Sequence, residues 1–283
     1  MNLEEREREY SPSSCIGGNY APFLRAYAEQ SARALAAHTA RRDLAYGDAP
    51  AQRLDLFLPP TRADGRAPAL LVFIHGGYWQ ELSKDSALFG ATGCVPAGIA
   101  YAALNYTLAP TARVQDMALE CRRALRWLHA HAAELGVDPA RIVVAGSSAG
   151  AHLAAMCGLR GWAGDADLAP GLPAAAVLVS GVYELAPLVG TSINVALGMT
   201  EADAGPISPQ RQPLAGFPPA VVCWGAIETD EFKRQSRAFA QALRAAGTPA
   251  TEFEVPARNH FDVILDLAVR GTALGEATFP LLS

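Results

Sequence analysis

The chain has 283 residues, 51% hydrophobic and only 18% charged, which supplies enough apolar side chain for one substantial core. Its 23 basic and 28 acidic residues leave a formal charge of −5 with no basic run, which argues against nucleic acid or an anionic membrane surface as partner. No apolar run reaches the length of a membrane span, and the Glu/Arg-rich start lacks the apolar centre of a signal peptide; the expected location is cytoplasmic.

Residues 1–18 are polar, then Ser/Gly-rich, and predict an extended arm. Ala21 to Ala37 predicts a helix with Phe23, Leu24, Tyr27 and Leu35 on its apolar side. Arg53 to Leu58 stops at Pro59-Pro60 and predicts a strand near a sheet edge, followed by a loop from Thr61 to Pro68. Ala69 to His75 is a continuous apolar run, as expected of a parallel strand covered on both faces. Ser83 to Val95 is weakly helical, and Ile99 to Asn105 predicts another strand. Val114 to Leu135 carries apolar residues at three- and four-residue steps and predicts a long helix closed by Gly136. Ile142 to Gly146, Ala174 to Ser180, Ala220 to Trp224 and Thr251 to Val255 complete the strands. A helix is expected over Phe232 to Ala246, and mostly helical chain from Asp262 to Leu282. The 158–172 stretch reads as loop, and 186–218, with five prolines, as a loop with short helices over the carboxyl edge of the sheet.

Strands alternating with helices predict an α/β fold with a mostly parallel, doubly wound sheet, in a single domain spanning 1–283. Residues 1–40 form its N-terminal arm and helix, and the arm and 186–218 are candidates for a small lid. In such sheets reactive groups gather at the carboxyl ends of the strands. Those ends carry His75 to Trp79, Asn105-Tyr106, Ser148, Ser180-Gly181, Gly225 to Glu228 and Asn259-His260.

Val143 to Ala154 runs from an apolar strand through Gly146-Ser147-Ser148-Ala149-Gly150 into an alanine-rich helix. That G-x-S-x-G pattern is a sharp strand-to-helix turn with Ser148 at its apex. His75-Gly76-Gly77 follows a buried strand and leaves backbone N–H groups free of side-chain obstruction. The N–H groups of Gly77, Tyr78 and Ala149 are therefore the expected oxyanion donors, with Gly76 as substitute if the register differs by one. A serine hydroxyl is a weak nucleophile and needs a base. Among the six histidines, His260 follows the last strand, whereas His38, His129 and His131 lie on helices, His75 reads as structural and His152 as packing. The base needs a carboxylate on its other nitrogen, and the loop after Trp224-Gly225 offers Glu228, Asp230 and Glu231. Glu228, nearest the strand end, is the first choice, with Asp230 in reserve. No dinucleotide or phosphate-loop glycine pattern and no metal-ligand cluster is present, and no cofactor is expected.

With His75 to Trp79, Gly146 to Leu153, Glu228 to Ser236 and Asn259 to Asp262, the sequence resembles α/β-hydrolases of the arylformamidase (kynurenine formamidase-like) group. That group lies near the hormone-sensitive-lipase-type esterases. Tyr10-Ser11-Pro12-Ser13, Leu54 to Phe57 and Asn105-Tyr106 extend the likeness over nearly the whole chain. Many relatives have Asp where Glu228 stands here. The resemblance implies the α/β-hydrolase fold and amide or ester hydrolysis, with N-formylkynurenine the named substrate of the best-known members. The expected partner is thus a small aromatic amide or ester, and a homodimer is left open. Tyr10, Tyr78, Trp79, Tyr106 and Tyr183 are the expected substrate-binding aromatics, with Tyr20 and Trp162 near the same mouth. The competing readings are a short-acyl carboxylesterase, a hydrolase of other aryl amides or carbamates, and a non-catalytic ligand-binding protein. The last would have a damaged triad, whereas Ser148, an acid and His260 are all present.

Overall fold

A computed structural model describes residues 1–61, 65–164 and 167–283. The loops expected at 61–68 and 158–172 contain residues 62–64 and 165–166, which lie outside the described residues.

Among the described residues eight strands form one sheet: β1 (Ala40–Ala45), β2 (Arg53–Phe57), β3 (Leu70–Ile74), β4 (Ala100–Leu104), β5 (Ile142–Ser147), β6 (Ala175–Val179), β7 (Ala220–Ile227) and β8 (Ala250–Asn259). Their order is β1-β2-β4-β3-β5-β6-β7-β8. β1, β2 and β4 pair antiparallel, and every pairing from β4 through β3 to β8 is parallel.

The central strands β3, β4, β5 and β6 are buried along their whole length, which explains their unbroken apolar sequence. Successive side chains still divide between two cores. Leu70, Val72 and Ile74 face the helices Val114–Ala130, Ala149–Gly158 and Asp230–Ala245. Leu71 and Phe73 face the side of Tyr27, Ala34 and Leu274, from the helices Ala21–Ala37 and Ala273–Thr278.

β2 lies one place in from the sheet edge, as expected of a strand near it; the edge strand itself is β1, whose charged Ala-Arg-Arg-Asp-Leu-Ala gives no apolar signal. The antiparallel ladder to β2 holds β1, and buried charge adds to it. Arg42 Nε lies 2.6 Å from Asp55 on β2, and Lys84 Nζ lies 3.0 Å from the same fully buried carboxylate. Two other local expectations are corrected. The N-terminal arm is not extended but folds into a helix, Leu3–Glu9, closed by an Asn2/Glu5 capping box, and a 3₁₀ turn, Pro12–Ile16. The long helix ends at Ala130; a short helix, Ala132–Leu135, then stops at Gly136, whose φ of 78° is left-handed.

The segment 186–218 crosses the carboxyl side with helices Asn194–Leu197 and Glu201–Ala204 between 3₁₀ turns. Among the described residues no helix is long and apolar enough to cross a membrane.

Candidate active site

Ser148 stands between β5 and the helix Ala149–Gly158, with φ 56° and ψ −121°. That is a strained conformation for a residue with a Cβ, held by its surroundings. Its N–H donates to Val179 O on β6 at 2.8 Å, and its carbonyl accepts from His152 N–H at 3.1 Å. The two glycines of the motif are required by contact. A Cβ on Gly146 would sit 2.2 Å from Gly150 O, and one on Gly150 would sit 2.0 Å from Ile74 O. Replacing either would push the helix off β3 and β5 and move Ser148.

The loop after β3 reverses through three left-handed residues, Gly77, Tyr78 and Trp79, with φ of 94°, 47° and 61°. Gly77 O accepts from Gln80 and Glu81 N–H, each at 2.9 Å, which closes the turn. A Cβ on Gly76 would meet Ser147 O at 2.8 Å and Ser148 Cβ at 3.2 Å, so this backbone lies directly against the elbow. Among the described residues no carbonyl accepts from the N–H groups of Gly77 or Tyr78, and Ala149 N–H opens its helix. These are the three expected oxyanion donors, and they remain available to a ligand.

His260 follows β8 and donates from Nδ1 to Glu228 Oε2 at 3.0 Å, with both side chains buried. Phe232 and Phe261 pack edge-on against its ring. Asp230, the reserve acid, is exposed at the start of the helix Asp230–Ala245 and makes no such bond. No hydrogen bond joins Ser148 to His260 among the described residues; the two line one cavity.

That cavity has a volume of about 380 Å³. It extends from Ser148 between the arm and the Ala21–Ala37 helix, into a slot of Tyr20, Leu24, Tyr27, Phe73, Phe89 and Phe261. Tyr20 stacks on Phe261 with centroids 5.4 Å apart. Ser192 and Ile193 from the 186–218 segment complete the wall near Glu7.

Of the five expected cleft aromatics, Tyr10 and Tyr78 line this cavity. Trp79, Tyr106 and Tyr183 do not, and each has a partner in the core instead. Trp79 Nε1 donates to His152 Nδ1 at 3.2 Å. Tyr106 stacks on His75 and donates its hydroxyl to His75 O at 3.0 Å. Tyr183 stacks on Phe239 at 4.3 Å. A strand-end position alone does not tell which way a ring turns. Trp162 also lies away from the cavity, donating to Pro206 O at 2.8 Å. The slot residues from the Ala21–Ala37 helix could have been found as the apolar face already read there, but nothing local indicated where that face would dock.

His75 and His152 are held neutral by burial, which pushes each down to about 4. His75 Nδ1 donates to Gly76 O at 2.9 Å while the residue lines the cavity, and His152 Nε2 donates to Ile207 O at 2.7 Å in the core. Among the described residues no group of three or more His, Cys, Asp or Glu could hold a metal ion.

A serine on a strained strand-to-helix elbow, a carboxylate-bound histidine and free backbone donors, all on a parallel α/β sheet, define a serine hydrolase of the α/β-hydrolase fold. The BD-FAE family profile matches residues 54–169. The chain is 31% identical to the kynurenine formamidase of Danio rerio over 277 residues, covering 94% of this chain and 92% of that one. It belongs to the kynurenine formamidase family.

Among solved structures, a protein of Silicibacter sp. tm1040 described as a thioesterase superposes with a TM-score of 0.83 at 28% identity, covering 99% of each chain. The thermophilic esterase Est2 of Thermogutta terrifontis gives 0.64 at 26% identity, covering 86% of this chain and 89% of that one. The protein is thus an arylformamidase-like or carboxylesterase-type hydrolase of amide or ester bonds in a small molecule.

Proposed function

We propose that the protein removes a formyl group from an aryl formamide of the N-formylkynurenine type, through an acyl-enzyme on Ser148. The observation that carries this reading is the aromatic slot opening directly beside Ser148 and His260. A planar aryl group is the ligand such a slot takes at least cost in orientation. A formyl group, with no acyl side chain, suits the closely packed backbone of Gly76, Gly77 and Ser147.

In this reading Ser148 attacks the formyl carbon while His260 Nε2 accepts its proton, and Glu228 fixes the tautomer and stabilises the imidazolium. The developing oxyanion accepts from the N–H groups of Gly77, Tyr78 and Ala149, where each donor is worth about 3–4 kcal/mol. The arylamine is a poor leaving group as an anion, so His260 returns the proton to nitrogen as the C–N bond breaks. Water, deprotonated by the same histidine, then releases formate. The N-terminal segment and 186–218 act as the lid. All five cysteines are free thiols, which supports a reducing compartment such as the cytoplasm.

The second reading is a short-acyl carboxylesterase, favoured by the likeness to the Thermogutta esterase. Turnover of N-formylkynurenine beside p-nitrophenyl acetate and butyrate, with Ser148→Ala as blank, separates the two. Release of kynurenine far above the ester rates is the expected result. Fast ester cleavage without deformylation would remove the formamidase reading and leave the serine hydrolase.

A further inference from the structure

The His260–Glu228 pair has a third member that the motif pattern does not name. Ser180, the first residue beyond β6, is fully buried, with φ 52°, and its Oγ donates to Glu228 Oε1 at 2.6 Å. The same oxygen accepts Gly225 N–H at 2.5 Å. Glu228 therefore has one oxygen clamped by two donors while the other, Oε2, faces His260. The backbone is arranged for this. The β7–β8 register shifts between Gly225 and Ile227, a bulge-type irregularity that releases Gly225 N–H toward the carboxylate. Ser180 N–H is pinned to Cys223 O on β7 at 2.8 Å, which holds its left-handed backbone and aims the hydroxyl across the strand ends.

We propose that Ser180 is a positioning residue for the hydrolysis, acting through Glu228. Resting on the assignment of Ser148, His260 and Glu228 above, it holds the carboxylate rotamer that keeps Oε2 on Nδ1 of His260. Both side chains are buried, so no water replaces the lost donor, and a charge-assisted hydrogen bond is among the stronger interactions a side chain makes. A glutamate has one more rotatable bond than aspartate, and the clamp removes that freedom.

The test is a double-mutant cycle on kcat, with Ser180→Ala and Ser180→Gly each made alone and in a Glu228→Ala background. Alone, each Ser180 change is expected to lower kcat about ten- to hundredfold with KM unchanged. The downfield proton resonance of His260 Nδ1–H should shift or broaden, while thermal unfolding stays cooperative. In the Glu228→Ala background the same changes should cost less than about twofold, because the residue they act through is gone. Wild-type kcat in both Ser180 variants, or losses that simply multiply with Glu228→Ala, would overturn the inference. Full activity of Glu228→Ala itself would overturn the assignment of the acid and this inference with it. Glycine at 180 tolerates the left-handed backbone, so the pair of substitutions separates a lost hydroxyl from misfolding.

Discussion

The hydroxyl of Tyr78 donates to the backbone carbonyl of Tyr10, joining the loop after β3 to the N-terminal segment. One of the three proposed oxyanion donors is thus carried by a residue whose own side chain is tied to the cavity wall. Tyr10 is secured in turn, its hydroxyl donating to Glu231 at 2.8 Å and accepting from Gln235 Nε2 at 2.6 Å. The Tyr10→Phe variant should remain folded yet lose about 1–3 kcal/mol of stability, read as a lower urea midpoint, because Gln235 and Glu231 lose a buried partner.

Ser148→Ala and His260→Ala should each lower kcat by about 10⁴- to 10⁶-fold, with far-ultraviolet circular dichroism unchanged. A fluorophosphonate probe should label the wild type at Ser148 and leave Ser148→Ala unlabelled. Should Ser147→Ala be the inactive variant instead, the register of the elbow would be wrong.

The bond from His260 to Glu228 separates two neighbouring acids. Glu228→Ala should cut kcat about 10³- to 10⁴-fold, whereas Asp230→Ala, on an exposed helix start, should stay within about twofold. Steady-state kinetics of the pair are sufficient, and the reverse ranking would reassign the acid.

Leu24 projects from the Ala21–Ala37 helix into the aromatic slot. Leu24→Trp should fill it and raise KM for an aryl formamide by about tenfold or more, while turnover of vinyl acetate, which has no ring, changes little. Equal effects on both substrates would place the aryl group elsewhere.

His75 and His152 are neutral and pushed down to about 4 in the folded protein, below their ordinary value of 6.5. The unfolded chain therefore takes up protons that the folded chain refuses. Stability is fully present above about pH 6.5 and falls as pH drops toward 4, by up to about 1.4 kcal/mol per pH unit for each histidine. Urea unfolding at pH 7, 6 and 5 should show this slope, and His152→Gln, which cannot charge, should make it shallower.

The parts of the site legible in the sequence are those whose geometry is local. Gly146 and Gly150 are demanded by contacts within the turn and against β3, so the motif and the structure express the same constraint. His260 is legible as the candidate base because β8 ends at Asn259, which leaves the histidine first beyond the strand. The cavity wall was not legible, because it depends on how the Ala21–Ala37 helix docks beside Phe261, some 240 residues on. Trp79 and Tyr106 occupy strand ends where reactive groups are expected, yet turn inward to meet His152 and His75. β1 is illegible for the opposite reason: its Arg42 pairs with Asp55 and its Asp43 with Lys84, partners that no periodicity reveals.

Four of the five thiols, Cys94, Cys121, Cys157 and Cys223, are buried, and Cys15 alone is exposed. Burial pushes the four well above the ordinary thiol value, or up to about 12 for Cys94 and Cys157, so they stay protonated and inert toward alkylating reagents at neutral pH. Cys15 sits two residues after Ser13, which lines the cavity mouth. A maleimide dye would thus attach at a single natural position beside the entrance, and its fluorescence would report ligand arrival without any engineered cysteine.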